Sequence, residues 1–352
     1  MKVITSHNGL NAAARAYELL QQGVSPLDAC VEGVTLVEDD PEEHSVGYGG
    51  VPNEDGVVEL DAAVMDGRTR RGAGVAGLRN VRYPSRVARL LLEQTGRVLV
   101  VGEGALAFAR ANGFPEENLL SDKARRIWLH WKRTHSDTDD WRPPSGAADP
   151  DVQAWFDQYY RPPFVRPASA ATLDAATGPN SDKHSTDPVQ KAIDQGGTVH
   201  VSAVDGHGNV GCVTSTSGHP FKLSGRVGDS PILGAGLYAD NAAGTCGSIG
   251  HGEANLQNLS SFLTVELMRT AASGGRGLEP EQAGLEALRR IAASVPQEER
   301  DHTGRPRWNV TLFILAPDGR SAGVSLWGPR DYAVADKQGT RLIPCKSLWN
   351  QV

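Results

Sequence analysis

A threonine hydroxyl is a poor nucleophile at neutral pH unless a base stands beside it, and one position in this chain offers a route to that base. Gly196-Gly197-Thr198-Val199 sets a flexible dipeptide ahead of a run with β-strand alternation. A cut before Thr198 would free an α-amino group with a reference pKa of about 7.7–8.0, so nucleophile and base would be one residue. Downstream, Thr214-Ser215-Thr216-Ser217-Gly218 would close a hairpin and return hydroxyls to the side of Thr198. Arg226 and Asp229, three residues apart in Arg226-Val227-Gly228-Asp229-Ser230-Pro231, add a guanidinium and a carboxylate. Such a pair suits an α-amino acid, because arginine can grip the carboxylate with two prongs while aspartate takes the ammonium. The same two charges at a turn also fit an exposed salt bridge.

Other chemistries find less support. Val98-Leu99-Val100-Val101 running into Gly102-Glu103-Gly104-Ala105-Leu106-Ala107 matches a strand–GxGxxA–helix dinucleotide fingerprint. That reading also needs an acidic residue closing the next strand about 20 residues on, and Asp122 falls in a polar helix start instead. Close packing of helix on strand is the simpler expectation for those glycines. His130, His135, His184, His200, His207, His219 and His251 form neither HExxH nor a close Cys/His spacing, so most read as surface or turn residues. There is no GxSxG elbow. Cys30, Cys212, Cys246 and Cys345 are too scattered for a disulfide framework or a CxxC site and read as buried thiols. No metal or other cofactor is expected.

The elements that must position these residues divide into two textures. Residues 11–22 carry apolar and small residues at helical spacing up to Gly23; Ser25 then offers an N-cap and Pro26 a first helical residue for a second helix through 37. A glycine-dense loop (Gly47, Gly49, Gly50) leads to a buried strand at 57–65, and residues 97–101 and 104–112 read as strand and helix. After 196 the pattern is hairpin: 198–204 and 210–215 flank Asp205-Gly206-His207-Gly208-Asn209, and 308–315 and 322–327 flank Pro317-Asp318-Gly319. Helical stretches at 256–272 and 279–293 lie between them. Strands bracketing helices predict an α+β layered sandwich.

Composition narrows the partners. The chain has 352 residues, 39% hydrophobic and 22% charged, with 40 Gly and 21 Pro. No apolar run approaches the ~18 residues of a membrane helix and the start lacks a signal core, so a cytoplasmic protein without membrane contact is expected. Residues 1–197 hold 21 Lys+Arg against 28 Asp+Glu, which carries the whole net charge of −7. The tight basic run Arg68, Arg70 and Arg71 reads as a solvated face, so nucleic acid is not an expected partner. Residues 134–195 hold eight prolines and ten Asp against five Lys+Arg, as a connector does. Within it Trp141, Trp155, Phe156, Tyr159 and Tyr160 predict that part packs on a surface.

The run from Thr198 to Gly252 resembles the glycosylasparaginases and the related isoaspartyl peptidase/L-asparaginases. The likeness is carried by Gly197-Thr198, the TSTSG segment, Gly225-Arg226-Val227-Gly228-Asp229-Ser230-Pro231, Gly234-Ala235-Gly236-Leu237-Tyr238-Ala239-Asp240 and Gly250-His251-Gly252-Glu253. Upstream, Ser45-Val46-Gly47-Tyr48-Gly49-Gly50-Val51-Pro52-Asn53, Leu60-Asp61-Ala62-Ala63-Val64-Met65-Asp66-Gly67 and Val101-Gly102-Glu103-Gly104-Ala105 also look like that family. The resemblance implies an N-terminal nucleophile hydrolase, a four-layer αββα sandwich made as a precursor that cuts itself before Thr198. It implies one structural domain whose alpha chain is 1–197 and beta chain 198–352, and a homodimer of cleaved protomers acting on a small asparagine or aspartyl derivative. By the same resemblance Thr198 is nucleophile and base, Thr216 orients it, Arg226 and Asp229 hold the α-carboxylate and α-ammonium, and the Gly250 backbone lines the acyl site.

Three departures stand out. Gly196-Gly197 precedes the threonine where the family commonly has His or Met followed by Asp or Gly. The family's oxyanion-hole threonine falls on Ile249, which has no side-chain donor; Ser248, one residue off, is the substitute at hand. The tryptophan that glycosylasparaginases carry near the N-terminus falls on His7. The expected activity is hydrolysis of the side-chain amide of glycosylated or free asparagine, or of a β-aspartyl peptide bond. A binding protein for aspartate-like ligands, slow in turnover because of Ile249, and a nucleotide-dependent oxidoreductase are the other classes.

Overall fold

The computed structural model of the protein describes residues 1–134, 151–152, 154–155, 197–269 and 277–349. In chain order the elements are β1 Lys2–Ser6, α1 Leu10–Gln21, α2 Pro26–Glu38, β2 Leu60–Asp66, β3 Arg71–Leu78, α3 Pro84–Gln94, β4 Leu99–Val101, α4 Gly102–Ala111 and α5 Asp122–Thr134. After the connector follow β5 Val199–Val204, β6 Val210–Thr216, β7 Leu237–Asp240, β8 Gly244–Gly250, α6 Gly252–Asn258, α7 Ser260–Met268 and α8 Pro280–Ser294. The chain ends on β9 Val310–Leu315, β10 Ser321–Trp327, β11 Asp331–Asp336, β12 Gly339–Pro344 and β13 Lys346–Trp349.

The α+β expectation holds. The strands form an eight-stranded sheet, β12-β11-β1-β5-β6-β2-β3-β4, and a five-stranded sheet, β13-β10-β9-β8-β7. Pairing is antiparallel except at the edges, where β4 runs parallel to β3 and β13 to β10. Alternation along each strand sends one set of side chains to each face. Val199, Val201, Val64 and Val75 thereby join α1 to α4 in one apolar cluster. Cys246, Leu312 and Val324 of the smaller sheet join α7 and α8 in another. Ile4, Ala63, Cys212, Leu237, Ile249 and Phe313, drawn from both sheets, make a third.

Local signals account for several boundaries. The Ser25 hydroxyl accepts from the Asp28 N–H at 3.2 Å, capping α2 with Pro26 in its first turn. The predicted helix at 256–272 is instead two helices beginning at Gly252, because Leu259 adopts φ +45° and breaks the hydrogen-bond ladder between them. The Gly102–Gly104 expectation also needs correction. A Cβ on Gly104 would meet only a Val100 methyl at 3.5 Å, an ordinary contact, whereas Gly102 turns at φ +52° into α4 with open space around it. The turn, and not close packing, asks for glycine there. Of the connector's aromatic residues, Trp155 packs with Val152, Trp128, Trp131 and Phe221; Trp141, Phe156, Tyr159 and Tyr160 lie outside the described residues. Cys30, Cys212 and Cys246 are buried free thiols, while Cys345 is only half-buried.

A buried carboxyl ties helices to the larger sheet beside strand β6. Glu38, at the end of α2, accepts from the Ser85 N–H (3.1 Å), the Ser85 hydroxyl (2.8 Å) and the Ser215 hydroxyl (2.7 Å). Burial pushes its pKa from 4.5 up to about 7 against those three donors. Stability from the neutral carboxyl is therefore complete below about pH 4.5 and lost as pH rises through about 7. We expect the parent protein to lose on the order of 3 kcal/mol more than Glu38→Gln between mildly acidic and mildly alkaline pH. Urea midpoints of both proteins at the two pH values measure this, and parallel curves would mean that Glu38 does not titrate there.

Candidate active site

Thr198 stands at the mouth of the β5–β6 hairpin. The register pairs Val199 with Ser215, so Thr198 falls beside Thr216, and Asp61 of β2 lies across from Thr216 on the other side. Directly opposed residues of an antiparallel pair point to the same face, which makes Thr198, Thr216 and Asp61 one row. Thr198 is 9% exposed and its hydroxyl donates to Thr216 Oγ1 at 3.1 Å. Thr216 Oγ1 also accepts from the Gly218 N–H (2.9 Å) and lies 3.0 Å from the Gly197 carbonyl oxygen and 3.3 Å from that of Ser45. Its single proton can therefore reach the carbonyl of the peptide bond that precedes Thr198. Gly197 sits at φ +155°, which L side chains rarely adopt.

The second group lies beyond the same turn. Asp229 is 6% exposed, and its Oδ2 accepts from the Ser248 hydroxyl (2.7 Å) and the Asn255 amide (2.9 Å). Burial pushes its carboxyl up to about 6, with the two hydrogen bonds pulling the other way. Arg226 does not pair with Asp229. Its Nε and Nη2 both donate to Glu253 Oε1, at 2.9 and 2.7 Å. Between Arg226 and Asp229 runs the backbone of Gly252, where a Cβ would stand 2.9 Å from Arg226 Nη2 and 3.1 Å from Asp229 Oδ1. Arg226 Nη2 and Asp229 Oδ1 thus both border the Gly252 backbone, which can approach them this closely because it carries no side chain.

The position of Ile249 follows from contacts between the sheets. Thr245 of β8 meets Ser202 of β5, hydroxyl to hydroxyl at 2.8 Å. Two residues on, Gly247 lies against the ring of His200. Extended by two residues, the same progression would align Ile249 with Thr198. Ile249 is 9% exposed and packs in the cluster between the sheets. Ser248 points to the other face and spends its hydroxyl on Asp229 and the Ala235 carbonyl, so as an oxyanion donor it is corrected to a support for Asp229. Gly250 ends β8 at φ +116° beside the Asn309 backbone, leaving no room for a side chain.

Several neighbours escaped the sequence reading. Unlike the surface or turn position expected of most histidines here, His200 is fully buried, and burial drives its pKa down to about 3. Thr245 donates to Ser202, which leaves the Ser202 proton for His200 Nε2 (2.7 Å). His200 Nδ1–H then donates to Thr214 (2.8 Å), whose own proton reaches the Gly236 carbonyl. One-way donation fixes a neutral tautomer two residues from Thr198. His130 is also buried; His135 and His184 lie outside the described residues. Lys222 and Asp61 form a buried pair at 3.8 Å, with the Lys222 ammonium also donating to the Glu59 carbonyl. Asp61 and Glu253 stood within recognised motifs, but nothing in their spacing named their partners. Among the described residues no group of three His, Cys, Asp or Glu could hold a metal ion.

With this geometry in hand, comparisons with known proteins are specific. The sequence profile of a family described as Asparaginase matches residues 2–299. An N(4)-(Beta-N-acetylglucosaminyl)-L-asparaginase of Elizabethkingia miricola is 35% identical over 334 residues, covering 95% of this chain and 81% of its own length. A putative N(4)-(beta-N-acetylglucosaminyl)-L-asparaginase of Drosophila melanogaster is 36% identical over 82% of this chain and 69% of its own. A probable isoaspartyl peptidase/L-asparaginase of Arabidopsis thaliana is 31% identical over 84% of this chain and 78% of its own. A profile spanning most of the chain and relatives aligned over more than two thirds of their own lengths agree: the chain belongs to the asparaginase family.

Proposed function

We propose that this asparaginase-type amidohydrolase matures by cutting itself between Gly197 and Thr198 and then hydrolyses the side-chain amide of asparagine carrying an N-linked sugar. The observation that carries the reading is the row in which the buried Thr198 hydroxyl meets Thr216 while Thr216 reaches the Gly197 carbonyl. In the precursor, Thr198 Oγ1 attacks the Gly197 carbonyl carbon, the C–N bond breaks as the nitrogen takes a proton, and water hydrolyses the resulting ester. Chains 1–197 and 198–352 result, and the freed amine becomes the base.

In the mature enzyme Thr198 attacks the substrate's side-chain carbonyl and its α-amine carries the hydroxyl proton to the leaving amine. Water, deprotonated by the same amine, then releases aspartate from the threonyl ester. Arg226 and Asp229 hold the α-carboxylate and α-ammonium beside Gly252, and Thr216 orients the nucleophile. The three apolar clusters support the four-layer αββα arrangement, helices outside and sheets facing. A homodimer of cleaved protomers belongs to the same proposal.

Intact mass and N-terminal sequencing test maturation: chains of 197 and 155 residues, the second starting at Thr198, are expected, and a chain still uncut after long incubation would count against it. Turnover of GlcNAc-asparagine against asparagine and β-aspartyl dipeptides then ranks the substrates. The resemblance of the GRVGDSP segment and the Elizabethkingia relative's identity favour the glycosylated one, with isoaspartyl peptidase/L-asparaginase activity the alternative. Ile249 favours a second reading, a weakly catalytic aspartate-binding protein, for which calorimetry would detect aspartate while product stays at background.

A further inference from the structure

We propose that Glu253 is a positioning residue for substrate recognition: it holds the Arg226 guanidinium by one edge so that the other edge stands ready for the ligand's α-carboxylate. The inference rests on the amino-acid reading of the site given above. A guanidinium carries five N–H donors in a rigid plane. Glu253 Oε1 takes the Nε donor at 2.9 Å and one Nη2 donor at 2.7 Å, filling the side edge with a single oxygen. Two donors on Nη1 and one on Nη2 remain, and these form the end-on fork that a second carboxylate can meet in two-pronged fashion.

The surroundings of that fork are built from missing side chains. A Cβ on Gly228 would stand 2.8 Å from Nη1, and one on Gly252 2.9 Å from Nη2. Asp229 turns Oδ2 to Ser248 and Asn255, while Oδ1 borders the same Gly252 position at 3.1 Å. The end of the guanidinium and Asp229 Oδ1 therefore both border Gly252, and in this proposal the carboxylate and ammonium of a single α-carbon are held beside it. Glu253 stands on the outer side, 49% exposed against 20% for Arg226. An exposed pair of this kind adds little to folding stability. Its consequence falls on binding, because a long arginine left unanchored must give up its rotamer freedom when the ligand arrives.

A different role would have the opposite sign. If Glu253 were a competing counter-ion for Arg226, removing it would tighten carboxylate binding. Calorimetry with L-aspartate on the matured protein separates the two. Glu253→Ala is expected to weaken aspartate about 10-fold. Glu253→Gln, whose amide oxygen still accepts from Nε and Nη2, is expected to weaken it only about 3-fold. In turnover assays KM rises while kcat stays within about 3-fold, and the melting temperature is unchanged. Unchanged or tighter aspartate binding by Glu253→Ala overturns the proposal. Arg226→Ala is the control for the reading beneath it: a variant that binds aspartate as the parent does, or a parent that binds none, removes the amino-acid site itself. Loss in Arg226→Ala with none in Glu253→Ala removes only the positioning role.

Discussion

Thr198→Ala is expected to remain a single chain of 352 residues and to show amide hydrolysis at background, a loss on the order of 10⁴-fold or more. The substitution removes the one hydroxyl that can attack the Gly197 carbonyl from the adjacent residue, and with it the cut that would free the amine. Both functions would fail together, because in the proposed mechanism nucleophile and base are the same residue. The fold should survive. Thr198 precedes β5 and is not itself part of the ladder, Thr216 keeps its Gly218, Gly197 and Ser45 contacts, and the truncation removes only a small side chain.

Thr198→Ser sharpens the test, since it restores the hydroxyl and should restore both cleavage and turnover, more slowly because a serine lacks the β-branch that limits its rotamers. Intact mass reads cleavage and a product assay reads turnover. A Thr198→Ala chain that still divides after residue 197 in freshly purified protein would show that the scission needs no threonine hydroxyl.

The parts of this molecule that were legible in its sequence are those whose signals are local. Ser25-Pro26 caps a helix wherever it occurs before apolar periodicity, and the β5–β6 hairpin announces itself by alternation around a glycine-rich turn. Strands β3 and β8 gave no such signal. Arg71–Leu78 and Gly244–Gly250 are buried on both faces and rich in glycine, so the apolar–polar alternation of a half-exposed strand never forms. The glycine of β8 at 247 is dictated by the His200 ring on another sheet, a contact 47 residues away in sequence.

The site divides in the same way. Thr198, Thr216, Arg226 and Asp229 were nameable because each lies in a compact segment of distinctive chemistry. What each touches was not, since partners come from other elements: Ser248 from β8, Asn255 and Glu253 from α6, Asp61 from β2. Arg226 and Asp229 read as a pair by spacing, yet the fold separates them with a glycine backbone and gives each its own partner. The proposed amino-acid site needs that separation, because an Arg226–Asp229 contact would spend on each other the groups meant for the ligand's carboxylate and ammonium.

Ile249→Thr is expected to raise turnover about 100- to 1000-fold with KM nearly unchanged, the mirror of what losing one oxyanion donor costs. The progression from Thr245 over Ser202 through Gly247 over His200, extended by two residues, would set Ile249 toward Thr198, where negative charge would develop during attack. An isoleucine there supplies bulk and no proton. A threonine of the same β-branched shape would supply both, and its donor would act on charge present only in the transition state, so kcat moves and ground-state binding does not. The cost is in stability, on the order of 1–3 kcal/mol if the hydroxyl finds no partner among Leu237, Phe313 and the other apolar residues between the sheets. Measuring kcat, KM and melting temperature on the same cleaved preparation keeps these effects apart. Flat turnover in a folded, cleaved variant would mean that a backbone N–H near Gly250 already completes the hole, because the Ser248 hydroxyl is committed to Asp229 and the Ala235 carbonyl on the opposite face of the strand.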